Sequence, residues 1–228
     1  MNRKSGLFGT LGLEATNIAC IVAHPDDEVL GVGGAIARAV EEGANVRVVL
    51  PVRRYESNDR VSWSVIKSQF IEAITILGAT PIIPPEAPHE FEVTRPHEII
   101  PLIEPVLNWA DVVLTHWRGD LHETHRLVSS AVDISCRPIR RHLAILQFEV
   151  PSATDQGGTE VFAPNFFVQL NPSHIAKKNQ ALMVYKEELG VVRNPQHITR
   201  WGRVRGEQVG WEYAEALVLT RAYAPILK

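Results

Sequence analysis

The stretch IACIVAHPDDEVLGVGG, residues 18–34, decides the fold. Ile18 to Ala23 is a short apolar run that ends abruptly in a polar cluster, the pattern of a buried strand. From about Val29 to Glu42 the apolar residues recur at helical spacing, and Gly43 supplies a stop. A strand therefore feeds a helix through His24-Pro25-Asp26-Asp27-Glu28. Downstream the alternation continues. Strands are expected at Val46 to Leu50, Thr80 to Ile83, Val112 to Thr115 and Leu143 to Phe148, with helices near Val61 to Leu77, His97 to Trp109 and Arg126 to Ile134. The C-terminal third adds a strand at Phe166 to Leu170, a helix from about Pro172 to Leu189 and a short helix near Glu212 to Leu217. Strands alternating with crossover-length helices predict an α/β fold: a mostly parallel sheet with helices on both faces.

Composition bounds the function. The 228 residues are 45% hydrophobic and 21% charged, as in an ordinary globular protein, and suffice for one substantial core. Neither a repeat nor a low-complexity linker divides them, so residues 18–228 read as a single domain preceded by a loosely ordered arm, residues 1–17. A net charge of −3 gives no general pull toward nucleic acid or anionic membrane. No apolar run approaches the roughly 18 residues of a membrane span, and the basic start lacks the apolar stretch and cleavage pattern of a signal peptide. Two cysteines, Cys20 and Cys136, make no disulfide framework, which points to a cytoplasmic chain with reduced thiols. The sequence leaves a homo-oligomer open.

Open parallel sheets bind ligands beyond the carboxyl ends of their strands, where strand order reverses. The first strand runs into HPDDE, residues 24–28, and the fourth into HWRGDLHETH, residues 116–125. If those strands are neighbours, the clusters converge. His24, Asp27 and His125 would then offer two imidazoles and a carboxylate, a donor set that leaves an open position on zinc, one ion per chain. Ferrous iron or cobalt would also suit these donors. Asp26, beside a ligand but facing another way, can take a proton from the attacking water. His122 can act as an imidazolium that stabilises an oxyanion and protonates a leaving amine.

Plainer readings exist for each feature. A His-Pro-Asp-Asp string also serves as a helix N-cap, and loop histidines are often solvated. His116 reads as a strand-end residue. Gly31-Val32-Gly33-Gly34 lacks the spacing and lysine of a phosphate loop and is assigned to close helix packing. The basic run Arg137 to His142 is too short for a nucleic-acid patch. Trp117 flanks the site, where a sugar could stack on it; a core role fits equally.

AHPDDE (residues 23–28) followed by GVGG resembles the opening motif of the PIG-L/LmbE-like family of zinc-dependent N-deacetylases, and THWRGDLHETHR resembles its second metal motif. The likeness continues through FEVPSAT (148–154), FAPNFFVQL (162–170), the KxxALxxY pattern at 178–185 and RGEQVGWEYAEALVLTR (205–221). It implies a Rossmann-like three-layer fold and removal of an acetyl group from an N-acetylglucosamine-type sugar, glycoconjugate or sugar nucleotide. It also implies zinc ligands at His24, Asp27 and His125, a base at Asp26 and a second catalytic group at His122.

Two departures stand out. Thr124 occupies the place of the family's usual aspartate, where Asp120 or Glu123 could compensate. The usual RxxE of the second helix is replaced by Ile66 and Gln69; Arg54, Arg60 or Lys67 could take over substrate contacts, though a surface role is the default reading for each. Arg54, Arg60, Trp117 and Asp120 are the candidate substrate-binding residues. The alternative function is a metal-containing sugar-binding protein with weak or lost turnover.

Overall fold

Strand β1 (Asn17–Ile21) lies inside a seven-stranded sheet, and its alternation serves both faces. Ile18, Cys20 and Val22 enter one core, while Ala19, Ile21 and Ala23 enter the other. The computed structural model describes residues 17–54, 61–156 and 160–223.

The remaining strands are β2 (Asn45–Val49), β3 (Thr80–Ile82), β4 (Val112–His116), β5 (Ala144–Phe148), β6 (Phe166–Leu170) and β7 (Tyr213–Arg221). The helices are α1 (Asp27–Glu41), α2 (Trp63–Leu77), α3 (Pro96–Leu107), α4 (Glu123–Ser135), α5 (Pro172–Leu182) and α6 (Pro195–Glu207). Spatial order is β3-β2-β1-β4-β5-β7-β6; pairing is parallel as far as β5, and β7 runs antiparallel to both neighbours. Residues of α1, α2 and α5 cover one face, and residues of α3 and α4 cover the other. Strand order reverses between β1 and β4, which pair directly with Ile21 opposite Thr115. The strands that carry the two polar clusters are therefore neighbours.

Helix α1 is broken at Val32 (φ −136°, ψ 17°), which frees backbone groups in the middle of a buried helix. Three of the groups there find side chains. Glu215 on β7 accepts the N–H groups of Gly34 (2.9 Å) and Ala35 (2.7 Å), while Lys178 donates to Leu30 O (2.9 Å) and to Glu215 (2.6 Å). Both members of an interior ion pair are thereby hydrogen-bonded to backbone as well as to each other, the condition under which burying charge is tolerable. The packing role given to the glycines holds: a Cβ at Gly31 would stand 2.4 Å from the Phe148 ring, and one at Gly34 2.4 Å from Leu170.

In the C-terminal third β6 lies where the sequence places it, at Phe166–Leu170, but its other elements depart from expectation. The sequence predicts a short helix near Glu212 to Leu217, but Tyr213–Arg221 is a strand. Its Ala-Glu-Ala-Leu core favours helix locally, and pairing between β5 and β6 overrides that weak preference. The helix expected to reach Leu189 ends at Leu182, and a 3₁₀ turn, Lys186–Glu188, follows. Helix α6 went unread because its buried side is Ile198, Gly202 and Gly206, too few apolar groups to show a stripe. The expected arm, residues 1–17, lies outside the described residues except for Asn17, which opens β1.

Gly31→Ala is expected to destabilise the protein by about 1–3 kcal/mol, since backbone and a core ring must yield to one methyl. Gly190→Ala, where a methyl meets nothing within 4 Å, should change little. Urea unfolding of both variants checks the contrast.

Candidate active site

After β1 the chain turns at His24 and enters α1 at Asp27. Asp26 caps the helix in the left-handed region (φ 101°, ψ −26°), a strained conformation for a residue with a side chain. That twist sends the two adjacent carboxylates to different sides. Asp27 Oδ2 accepts the His24 backbone N–H at 2.7 Å, whereas Asp26 Oδ2 meets Arg193 Nη1 at 3.1 Å. From β4 the chain passes Asp120, which accepts the His122 backbone N–H (2.8 Å) and the Thr154 hydroxyl (2.5 Å). His125 follows in the first turn of α4, not in a loop as its sequence neighbours suggested.

Three donor atoms then meet. His24 Nδ1 lies 3.1 Å from His125 Nε2, and Asp27 Oδ2 lies 3.4 Å from each. His125 Nδ1 faces the Asp120 carboxylate at 3.2 Å, so a second acid stands behind that imidazole. Nitrogens of His24, His122 and His125 also lie within 4.8 Å of one another, as do donor atoms of Asp27, His116 and His125. His116 is committed elsewhere: it is fully buried, and its Nε2 accepts the Ala23 N–H at 2.9 Å, joining the ends of β4 and β1.

Burial and neighbouring charge set the protonation states. Burial would raise Asp27, but the charge of His125, with hydrogen bonds from His125 and His24, holds it well below the usual carboxylate range. Burial would lower His125, but Asp27 and Asp120 push it up to about 10. Asp26 is raised to about 7, chiefly by burial and against the pull of Arg193. Burial, then the charges of His24 and His125, lower His122 to about 4. Its ring is therefore neutral near pH 7, where the sequence suggested an imidazolium.

The cleft above these groups encloses 290 Å³. His24, Asp26, Asp27, His122 and His125 line it together with Arg54, Glu90, Phe91, Ser152, Ala153 and Arg193. Of the candidate substrate contacts, Arg54 is present, ion-paired to Glu188. Two others are displaced. Trp117 is buried and stands edge-on to Phe162 with ring centres 5.6 Å apart, and Asp120 is 1% exposed behind His125; neither lines the cleft. Arg60 lies outside the described residues.

Sequence reasoning missed Glu90, Phe91 and Arg193. Glu90 and Phe91 follow the proline-rich exit from β3, and Arg193 precedes the Asn194-Pro195 start of α6. Loop punctuation was visible at both places, but nothing tied either loop to the motifs. Ser152, in a left-handed conformation (φ 84°), belongs to the FEVPSAT stretch.

The PIG-L family, described as GlcNAc-PI de-N-acetylase, matches residues 19–135 of the 228. An uncharacterized deacetylase of Escherichia coli, YaiS, is 29% identical over 181 residues, covering 74% of this chain and 90% of its own. Among solved structures, a conserved protein of Thermus thermophilus superposes with a TM-score of 0.70 at 22% identity, covering 93% of this chain and 99% of its own. The N,N'-diacetylchitobiose deacetylase of Pyrococcus horikoshii gives a TM-score of 0.69 at 17% identity over 94% of this chain and 90% of its own. At these identities the structural likeness establishes the fold.

Glu28, the last residue of the first motif, has no exposure; burial pushes it up to about 8, and the Tyr185 hydroxyl donates to its Oε1 at 2.7 Å. A folded-state value above the unfolded one means that the native protein keeps a proton which the unfolded chain releases. That stabilisation is complete below the unfolded value and is lost as pH rises toward 8. Chelator-treated wild type should therefore lose stability between pH 5 and pH 8, by on the order of a few kcal/mol more than Glu28→Gln. Denaturant unfolding at both pH values measures the difference.

Proposed function

Because the chain belongs to the PIG-L family of GlcNAc-PI de-N-acetylases, we propose that it is a zinc-dependent hydrolase that removes the N-acetyl group from an N-acetylglucosamine-type sugar or sugar conjugate. The observation that carries the proposal is the triangle of His24 Nδ1, Asp27 Oδ2 and His125 Nε2, with sides of 3.1, 3.4 and 3.4 Å. Bonds of about 2.0–2.1 Å to a tetrahedral zinc require donor atoms about 3.3–3.4 Å apart. Two imidazoles and a carboxylate without a thiolate form the donor set of an open, catalytic zinc site. Such an ion supplies polarisation of the amide carbonyl and a lowered pKa for water.

The chain's own groups do the rest. Asp26, raised to about 7, suits proton traffic in both directions near neutrality. Its carboxylate accepts the proton of the attacking water as the new O–C bond forms. It then returns that proton to the amide nitrogen as the C–N bond breaks, so acetate and a free amine leave. Arg193, 3.1 Å from Asp26, fixes the carboxylate's direction. His122, neutral, directs a ring N–H at the developing oxyanion. Arg54, Ser152 and Arg193 offer polar contacts for sugar hydroxyls, and Phe91, 71% exposed at the rim, offers the apolar face expected of Trp117.

Elemental analysis together with amine release from a panel of N-acetylglucosamine derivatives tests this reading. We expect about one zinc per chain and turnover that falls roughly 10²–10⁴-fold in Asp26→Asn while zinc is retained. An Asp26→Asn variant as active as wild type would remove Asp26 from the chemistry. Protein offered zinc that binds none would end the hydrolase reading.

A further inference from the structure

His24 has two ring nitrogens with different work. Nδ1 faces Asp27 and His125, whereas Nε2 points outward and lies 2.8 Å from Glu90 Oε2. The same oxygen is 3.4 Å from the Thr124 hydroxyl. Thr124, in the first turn of α4, offers no carboxylate, and Glu90 brings one beside it from a different element. We propose that Glu90 is a positioning residue of the metal centre, the outer partner that fixes the tautomer and direction of His24, and that Glu90 and Thr124 form a matched pair supplying one carboxylate there.

The backbone is built for this delivery. Glu90 opens a 3₁₀ turn, Glu90–Glu92, on the segment between β3 and α3. Arg53, on the loop after β2, fastens that segment at three points. Its N–H donates to Pro88 O (2.7 Å), its carbonyl accepts from the Glu90 N–H (2.9 Å), and its Nε donates to Ala87 O (2.7 Å). His89 is tied as well, its N–H donating to Glu92 at 2.9 Å. The Glu90 side chain is thus 9% exposed and held against His24.

The chemistry follows from which nitrogen carries the proton. A carboxylate accepting from Nε2–H leaves the Nδ1 lone pair directed at the centre and raises the basicity of that nitrogen, as outer partners of ligating histidines do. Carboxylates at both 90 and 124 would crowd like charges, since the Thr124 side chain already reaches within 3.4 Å of Glu90 Oε2. A threonine at 124 avoids that conflict and adds a hydroxyl contact.

The proposal rests on the metal reading above, and its test separates the two. Zinc dissociation constants would be measured by competition with a chromogenic chelator for wild type, Glu90→Ala, Glu90→Gln and the double variant Glu90→Ala/Thr124→Asp. Thermal unfolding of the metal-free proteins would be followed in parallel. Glu90→Ala should bind zinc roughly 10–100-fold more weakly. Glu90→Gln, which keeps the shape and drops the charge, should fall between it and wild type. The double variant, with its carboxylate restored from α4, should recover most of the loss; a merely structural role for Glu90 gives no reason for such rescue. Glu90→Ala binding within twofold of wild type overturns the proposal, as does a double variant that binds no better than Glu90→Ala. Wild type that takes up no zinc overturns the metal centre itself, a result distinct from the other two.

Discussion

One carboxylate oxygen organises the site. Asp27 Oδ2 accepts the backbone N–H of His24 and stands 3.4 Å from ring nitrogens of His24, His116 and His125. Asp27 is also the first residue of α1, where the helix terminus favours negative charge. His24 precedes it on the exit from β1, and His116 and His125 come from the end of β4 and the start of α4. This meeting requires β1 and β4 to be neighbours in parallel register, and so depends on the sheet reversing its order at that point. The left-handed backbone of Asp26 turns its carboxylate away from that of Asp27, which separates the group proposed for proton transfer from the group at the centre.

The strain and buried charge gathered there are offset elsewhere in the fold. Asp26, Asp27, Glu28, Asp120 and His125 are all 2% exposed or less. Two sets of apolar side chains, one on each face of the sheet, surround them. The broken helix α1 lets Gly31 sit against Phe148 and carries Asp27 at its start. The ion pair of Lys178 and Glu215 satisfies the groups the break exposes. Glu215 lies on the antiparallel strand β7 and Lys178 on α5, so the C-terminal third is a structural partner of the first motif.

Much of this was legible in the chain. Strands β1 to β5 and helices α1 to α4 have strong periodicity and glycine or proline punctuation, and sequence reading finds each within a few residues. The convergence of HPDDE with HETH follows from the rule for strand ends. What escaped was decided by tertiary contacts. Tyr213–Arg221 looks helical until its place between β5 and β6 is known. Helix α6 hides its contact face behind glycines. Glu90 and Arg193 carry no spacing relation to the motifs, because loops bring them to the cleft. For Trp117 the sequence leaves two roles open, stacking on a sugar or packing in the core, and the structure gives the second: the indole is buried.

The central claim is that His24, Asp27 and His125 hold one zinc between them. Anomalous diffraction from crystals of zinc-loaded protein, recorded on both sides of the zinc edge, tests it most directly. The account predicts a single peak about 2.0–2.2 Å from His24 Nδ1, Asp27 Oδ2 and His125 Nε2, with the side facing Asp26 and His122 open to the cleft. A peak seated instead between Asp27, His116 and His125, or no peak in the cleft at all, would contradict it.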